Sequence, residues 1–219
     1  MSPARTRLVL LATALLVTTT AQAGPLLSES FDDVDALAGD GWLLANLDPD
    51  PALEIDWFQG QSYVFESHSG DPGAYIASNY GAAAAGSTLQ NWLITPEFST
   101  AQAGTVTFWL RDTGDADFVD SIRFGFSDGS GDTTRFVLGD AVAAAGDWAL
   151  YSVNFAAGAP GSMARFAIEQ TGSADLADYV GVDDLRIDAA AAAVPEPAGW
   201  LTLATGLLGL AAWRRRAAR

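Results

Sequence analysis

The middle of the chain alternates between apolar and polar residues, and this alternation is the feature that most limits its fold. The apolar positions of four such stretches are Val106, Phe108 and Leu110; Ile122, Phe124 and Phe126; Tyr151, Val153 and Phe155; and Phe166 with Ile168. A period of two places every second side chain on the same face of an extended backbone. We therefore predict β-strands that each bury one face.

Shorter apolar stretches predict further strands, and clusters of Gly, Asp, Ser and Pro separate them as turns. These additional strands are predicted at residues 26–31, 42–46, 55–59, 63–66, 74–78, 92–94 and 135–138. No long segment of residues 24–190 has the period of a helix. Many short strands without intervening helices are typical of antiparallel sandwiches, so the predicted fold is all-β, a jelly-roll β-sandwich.

The last predicted strand, "YVGVDDLRID", contains a change of phase. Val180 and Val182 share one face, whereas Leu185 and Ile187 fall on the opposite parity. A β-bulge at residues 183–184 would turn both pairs toward the same core. Carboxylates that a bulge redirects near a sheet edge are a candidate calcium position; the other interpretation is that the two aspartates mark a strand break in an acidic protein.

The N-terminus has the pattern of a secretory signal. Arg5 and Arg7 precede an apolar run at residues 8–17, and the segment ends in "AQA" at residues 21–23. A basic start, a short apolar core and small terminal residues are the features that signal peptidase recognises. We predict a signal peptide at residues 1–23, followed by one domain at residues 24–190.

The segment after the signal is strongly acidic and has no cysteine. The chain has 27 acidic and 11 basic residues; residues 24–194 hold 26 of the acidic ones, five arginines and no lysine, a net charge near −21. Such a surface repels nucleic acid and anionic lipid, so neither is an expected partner. It suits a soluble protein, a protein that binds cations such as calcium, or one in salty surroundings, and coding bias is the alternative explanation. The absence of cysteine excludes disulfides, thiolate nucleophiles and cysteine-ligated zinc.

The sequence offers little for catalysis. Its single histidine, His68, lies in a turn-like stretch, "ESHSGDPG", and acidic residues are so numerous that no pair stands out as a glycosidase pair. We therefore expect that the protein is not an enzyme. A secreted carbohydrate-active enzyme and a purely structural matrix component stay open as alternatives.

Seven sequence motifs occur along the chain in the order that a known domain family has. They are "SESFDDVDALAGDGWLLANLDPDP", "WFQGQSYVFESHSGDPGAYIASNY", "LQNWLITPEFS", "VTFWLRD", "DFVDSIRFGFSDG", "GDWALYSVNF" and "YVGVDDLRID". Together they resemble the choice-of-anchor J domain, a relative of the cleaved-adhesin and MAM-like domains, over residues 26–188. The resemblance implies a jelly-roll β-sandwich, in agreement with the strand pattern. We expect a surface or matrix protein that binds or scaffolds extracellular polysaccharide.

The same resemblance points to a metal position. In jelly-roll domains of the related galactose-binding type, the first and last strands often approach each other and hold a structural ion. By that position in the fold, Glu29 and Asp183 are the expected ligands of a structural calcium ion. A second acidic stretch, "DTGDADFVD", lacks the order of an EF-hand loop, and we expect a solvated acidic loop there.

The C-terminal residues 191–219 combine three elements. These are the motif Val194, Pro195, Glu196 and Pro197; an apolar run; and the basic cluster Arg214, Arg215 and Arg216. The combination resembles a PEP-CTERM sorting signal. It implies recognition by an exosortase in the inner membrane of a Gram-negative bacterium that makes exopolysaccharide and biofilm, and transfer to the cell surface or extracellular matrix.

The apolar run is short for a permanent anchor. As a helix, residues 199–213 would reach about 22 Å, whereas a bilayer core of about 30 Å normally needs around 20 residues. Basic residues after the run would hold the C-terminus on the cytoplasmic side. We expect a short transmembrane sorting helix that anchors the protein transiently in the inner membrane and is then processed.

Overall fold

The computed structural model describes residues 24–48, 55–191 and Arg214. The predicted signal peptide at residues 1–23 lies outside the described residues, and so does nearly all of the predicted sorting signal, including the transmembrane helix expected at residues 199–213. Among the helices that are described, none is both long enough and apolar enough to cross a membrane.

Residues 24–48 and 55–191 form an all-β domain, as predicted. The strands described are β1 (Leu27–Glu29), β2 (Leu43–Asn46), β3 (Phe58–Gln59), β4 (Ile76–Asn79), β5 (Thr88–Ile94), β6 (Phe98–Ser99), β7 (Gly104–Asp112), β8 (Ser121–Ser127), β9 (Val137–Leu138), β10 (Val142–Ala143), β11 (Ala149–Phe155), β12 (Met163–Ser173) and β13 (Tyr179–Ala189). Short 3₁₀ helices interrupt them at Val34–Asp40, Tyr80–Ala82, Thr133–Arg135 and Ala174–Leu176. All strand pairings are antiparallel.

The long strand β13 organises the first sheet, which has the order β11–β7–β13–β4–β3. One edge of β13 pairs with β7, while the other pairs with β4 through residues 179–182 and then with β1 through residues 185–187. On this second edge, the strand that pairs with β13 changes from β4 to β1 at residues 183–184, where the register between β13 and β7 also shifts. This irregularity confirms the predicted bulge.

The second sheet has the order β10–β8–β12–β5–β2, and its central strand is β12. β6 adds to β12 beyond the end of β5, and β9 adds to β8. The inner faces of the two sheets share one apolar core, so the domain is a sandwich, as the strand pattern predicted.

The core consists of the residues that the alternation selected. Fully buried side chains from both sheets are Val106, Phe108, Leu110, Ile122, Phe166 and Ile168. Val180 and Leu185, which have opposite parity in the sequence, join the same core because the bulge lies between them. Burying one such side chain contributes about 1.5–3 kcal/mol to folding.

An aromatic cluster covers the outer face of the first sheet. Phe65 stacks on Tyr75 with ring centroids 5.0 Å apart, and it meets Tyr179 and Trp148 edge-on. The strand predicted at residues 63–66 is therefore wrong, because residues 62–64 form a turn. Position 65 needs an apolar residue because its side chain packs on the outer face of the sheet. This need exists although residue 65 does not pair with any strand.

A chain of buried polar side chains crosses between the sheets at one end of the sandwich. Ser78 Oγ donates a 2.5 Å hydrogen bond to Oε1 of Gln170 and accepts one of 2.8 Å from Nδ2 of Asn91. Gln170 Nε2 in turn donates a 2.9 Å bond to Oδ1 of Asp120. All four residues are almost completely buried, so these bonds fix how the two sheets meet at that end.

Candidate functional site

Asp183, one of the two predicted calcium ligands, is fully buried in the bulge of β13. Its Oδ2 accepts hydrogen bonds from the backbone N–H groups of His68 at 2.9 Å and Ser69 at 3.2 Å, and its Oδ1 accepts one of 2.7 Å from the N–H of Asp184. Burial raises the pKa of this carboxyl group to about 6. The side chain thus ties the loop at residues 67–69 to the gap between β4 and β1.

Asp184 completes the attachment of this loop. Its backbone has a φ of 47°, a left-handed conformation that aspartate tolerates better than most residues. Nδ1 of His68 lies 2.7 Å from Oδ2 of Asp184, and Ser69 Oγ donates a 2.9 Å hydrogen bond to Oδ1. The imidazole also stacks on Trp109, with centroids 3.8 Å apart. His68 is therefore held in a surface loop, as the sequence indicated.

Glu29, the other predicted ligand, lies on β1 opposite Leu185, two residues beyond Asp183. Its Oε1 accepts a 2.8 Å hydrogen bond from the N–H of Phe31, which also has a left-handed backbone, with φ 54°. Burial raises the pKa of Glu29, and the negative charges of Asp40 and Asp32 raise it further. The carboxylate therefore sits in a strongly negative environment.

At the positions that the structure describes, neither predicted calcium ligand is paired with a cation of the protein. Among the described residues, neither Glu29 nor Asp183 forms an ion pair with an arginine, so their charges are not compensated by the protein. Within the same part of the chain, the group whose ligand atoms all lie within 4.8 Å of one another is His68, Asp183 and Asp184, and it does not include Glu29. Carboxylate oxygens that keep free lone pairs suit calcium, which prefers oxygen ligands from loops.

The second acidic stretch divides between two environments. Asp115 and Asp117 are exposed, in keeping with a solvated loop, and Oδ1 of Asp115 only closes a local turn with the N–H of Asp117. Asp112 and Asp120 point inward and are buried. Within the residues described, the four carboxylates do not form a metal-ligating group.

A cleft opens beside this stretch, at the end of the sandwich that contains the buried polar chain. Three segments distant in sequence form it: the helix Tyr80–Ala82 with the turn after it, the β7–β8 loop, and the helix Ala174–Leu176. The N–H of Tyr80 donates to the carbonyl oxygen of Asp178 at 3.0 Å, and that of Val119 donates to Leu176 at 2.6 Å. The cleft has a volume of about 720 Å³, within the range of small-molecule sites.

Small side chains create the space. The residues of this kind that line the cleft are Gly81, Ala83, Ala85, Ala174 and Ala177. Ala83, Ala174 and Ala177 are buried and pack on Leu89 in a small apolar cluster of their own. The cleft therefore exists because this end of the sandwich has alanine where larger apolar side chains would fill the core.

Two aromatic rings stand in the lining with much of their surface free. Tyr80 is 57% exposed and Phe118 is 38% exposed. Asp175 and Asp178 also belong to the lining of the cleft. The site thus combines small apolar residues, two partly exposed aromatic residues and two aspartates.

A buried carboxyl group supports the cleft from below. Oδ2 of Asp120 accepts hydrogen bonds from the backbone N–H groups of Asp178 at 3.3 Å and Tyr179 at 3.1 Å. Asp120 is 1% exposed, and burial raises its pKa to about 6. The polar chain between the sheets thereby fixes the segment that carries Asp178.

None of the five tryptophans at described positions lines this cleft. Trp42, Trp57 and Trp92 are buried in apolar clusters. Trp109 and Trp148 are half-buried on the outer face of the first sheet, beside His68. Sequence reasoning missed the cleft, although "NYGAAAAG" could have pointed to it as a run of small residues after a tyrosine.

The Cleaved Adhesin Domain family matches residues 25–137, just over half of the chain. The chain belongs to the cleaved adhesin family. The solved K1 cleaved adhesin domain of Lys-gingipain from Porphyromonas gingivalis W83 is 22% identical, with 75% of this chain and 98% of that domain covered and a TM-score of 0.59. The K3 domain of the same protein is 20% identical, covers 75% and 97%, and has a TM-score of 0.57. No curated protein matches the chain.

The C-terminus of this cleaved adhesin protein matches the PEP-CTERM protein-sorting motif at residues 193–216. That range includes the predicted motif at residues 194–197 and the basic cluster at residues 214–216, so the resemblance seen in the sequence is confirmed. The motif implies processing by an exosortase. A cleaved adhesin domain with this motif is an exported, surface-associated protein.

Proposed function

We propose that the protein is a non-catalytic adhesion module that binds extracellular polysaccharide in the cleft between the helices Tyr80–Ala82 and Ala174–Leu176. The observation that carries this proposal is the presence of two exposed rings, Tyr80 and Phe118, in the lining of one cavity. Large apolar side chains are normally exposed singly, whereas two rings sharing a concave site indicate ligand contact.

The chemistry of the lining suits sugar. The faces of aromatic rings pack against the C–H-rich faces of sugar rings, and the tyrosine hydroxyl adds a hydrogen-bonding group at the edge. Carboxylate oxygens accept hydrogen bonds from hydroxyl groups. The cleft supplies both kinds of contact within about 720 Å³.

The non-catalytic part of the proposal rests on the carboxyl groups near the cleft. Hydrolysis of a glycosidic bond needs an accessible carboxylic acid with a raised pKa beside a second carboxylate. Asp120 has the raised pKa, but it is 1% exposed, and its two oxygens accept hydrogen bonds from Gln170, Asp178 and Tyr179. A substrate in the cleft therefore has no route to its proton.

Location and anchoring complete the proposal. After export, the short apolar segment at residues 199–213 holds the protein in the inner membrane until an exosortase transfers it to the surface or matrix of a Gram-negative bacterium. The polysaccharide is then that of the exopolysaccharide or biofilm around the cell. A calcium ion held by Glu29 and Asp183 stabilises the β1–β13 edge, and removing it with EDTA lowers the melting temperature.

A glycan array with purified protein, with and without EDTA, tests the function. The variants Tyr80→Ala and Phe118→Ala should each weaken binding about two- to tenfold, since one aromatic contact contributes about 0.5–1.5 kcal/mol. Tyr63→Ala is the matched control, because Tyr63 is 82% exposed and lies outside the cleft. Binding that all three variants retain, or no binding to any glycan, overturns the proposal. Release of reducing sugar would overturn its non-catalytic part.

A further inference from the structure

We propose that the cleft selects saccharides that carry free amino groups, so that its ligand is a polymer containing unacetylated amino sugars. This inference rests on the proposed function and adds the chemical class of the ligand. The observation behind it is charge: among the described residues, those that line the cleft include two aspartates, Asp175 and Asp178, and no lysine, arginine or histidine.

The Asp175 carboxylate is held in place with one oxygen free. Its Oδ1 accepts a 3.0 Å hydrogen bond from the N–H of Gly86, across the cleft from the helix on which Asp175 lies. Among the described residues, Oδ2 has no hydrogen-bond partner. The side chain is exposed, so this oxygen can meet a ligand without any rearrangement of the protein.

Asp178 has the same arrangement. Its Oδ2 accepts a 2.9 Å hydrogen bond from the hydroxyl of Thr113, and within the described part of the chain its Oδ1 is without a partner. The backbone N–H of Asp178 is fixed by Asp120. Two carboxylates are therefore positioned by separate contacts, and each keeps an acceptor oxygen for the ligand.

The charges of these two carboxylates are not compensated nearby. The ion pairs described involve Arg123 with Glu169, Arg135 with Asp128, Arg186 with Asp188, and His68 with Asp184, and none of them includes a cleft residue. The adjoining β7–β8 loop adds exposed Asp115 and Asp117. The potential in the cleft is therefore negative, which attracts cations and repels anions.

An amino sugar satisfies both features of the cleft at once. Its ring faces can lie against Tyr80 and Phe118, while its ammonium group donates to the free oxygens of Asp175 and Asp178. Charge-assisted hydrogen bonds are about twice as strong as neutral ones. A uronate polymer would bring its carboxylates toward aspartates, and an N-acetylated sugar offers no positive charge.

Titration calorimetry with glucosamine hexamer, N-acetylglucosamine hexamer, cellohexaose and hexa-galacturonate tests this selection. We expect the glucosamine hexamer to bind at least about tenfold more tightly than the others at low salt, with the advantage shrinking as salt rises. The double variant Asp175→Asn with Asp178→Asn should remove that advantage. Asparagine keeps an oxygen to accept from Gly86 and Thr113, so the cleft should stay folded, and Asp140→Asn serves as an exposed control.

The outcomes separate this inference from the proposed function. Binding of cellohexaose or N-acetylglucosamine hexamer at the cleft with equal or greater affinity would overturn the amino-sugar selection and leave polysaccharide binding intact. Failure of every glycan to bind would remove both. If tetralysine competes as well as the glucosamine hexamer and ring variants have no effect, the cleft recognises a basic peptide and the inference is wrong.

Discussion

Asp120 accepts a 2.9 Å hydrogen bond from Gln170, and this contact lies at the junction between the buried interior and the cleft. Gln170 continues the chain toward Ser78 on the opposite sheet, and Asp120 continues it to the backbone beneath Asp178. Asp120 is thus a titrating group in the buried interior that also holds the backbone of the segment lining the cleft. The folded domain holds its proton more tightly than the unfolded chain, because burial raises the pKa from 3.8 to about 6.

The raised pKa of Asp120 predicts that stability falls as pH rises through the range from about 4 to 6. Between those values the folded protein binds a proton that the unfolded chain has released, so the contribution is fully present below the unfolded pKa and is lost above the folded one. A shift from 3.8 to about 6 corresponds to about 3 kcal/mol. Urea unfolding at pH 4.5, 5.5, 6.5 and 7.5 measures about 2 kcal/mol of this contribution, because the remainder develops below pH 4.5.

The variant Asp120→Asn isolates this residue from the other carboxyl groups whose pKa burial raises. Asparagine carries no titrating proton, so the difference in unfolding free energy between wild type and variant should change by about 2 kcal/mol between pH 4.5 and 7.5. A difference that stays constant with pH would contradict the assignment. Asp140→Asn, at an exposed position, should leave the profile unchanged.

The ion pair between Arg123 and Glu169 predicts a second pH-dependent effect. Glu169 is 1% exposed, its Oε2 lies 2.6 Å from Nη2 of Arg123, and burial raises its pKa while Arg123 lowers it. Arg123→Met leaves a buried carboxylate unpaired, at a cost of about 2–4 kcal/mol at pH 7.5. The loss should shrink near pH 4.5, because Glu169 then takes up a proton.

A double variant tests whether the lost stability comes from the unpaired charge. Glu169 lies beside Trp92 on the outer face of the second sheet, where Ile94 and Ala167 form an apolar cluster. Adding Glu169→Met to Arg123→Met should restore most of the unfolding free energy. If the double variant is as unstable as the single one, packing of the arginine stem is the dominant contribution instead.

The aromatic cluster on the first sheet predicts a position at which glycine is required. A Cβ at Gly181 would lie 2.9 Å from ring atoms of Phe65 and Tyr75, closer than the packed rings allow. Gly181→Ala should therefore cost about 1–3 kcal/mol and change the near-ultraviolet circular dichroism of the aromatic side chains. Gly39→Ala is the matched control, since a Cβ there meets nothing within 4 Å. Equal stability of the two variants would contradict the packing argument.

The strands were predictable because burial on one face leaves a period of two in the sequence. The bulge was also predictable, since Val182 and Leu185 could share a core only if the phase changed between them. The strand at residues 63–66 was predicted wrongly because the sequence does not distinguish an apolar residue that packs on the outside of a sheet, such as Phe65, from one that belongs to a strand.

The cleft could not be predicted by the same reasoning. It depends on three segments, around residues 80, 118 and 175, whose proximity follows from sheet order alone. The free space comes from the smallness of Ala83 and Ala177, and a small residue leaves no periodic signal. The contact between His68 and Asp184 could not be predicted either, because the two residues are 116 positions apart in the sequence.

The calcium proposal predicts opposite effects of one substitution in the two metal states. In EDTA, Glu29→Gln should be as stable as wild type or more stable, because it removes a half-buried charge that Asp40 and Asp32 disfavour, and its amide oxygen can still accept from the N–H of Phe31. With calcium, wild type should gain stability through binding to the folded state, by about 2.7 kcal/mol when calcium is 100-fold above its dissociation constant. The variant should gain clearly less.

Thermal melts of wild type, Glu29→Gln and the exposed control Asp140→Asn, each with EDTA and with excess calcium, measure these effects. The expected pattern is a calcium-dependent rise in melting temperature that Asp140→Asn retains and Glu29→Gln loses, since a single carboxylate ligand carries much of the affinity of a small oxygen site. Asp183→Asn is less informative, because an amide nitrogen would face the N–H groups that now donate to Asp183. An equal rise in all three proteins would place the ion elsewhere, and no rise in wild type would refute calcium binding.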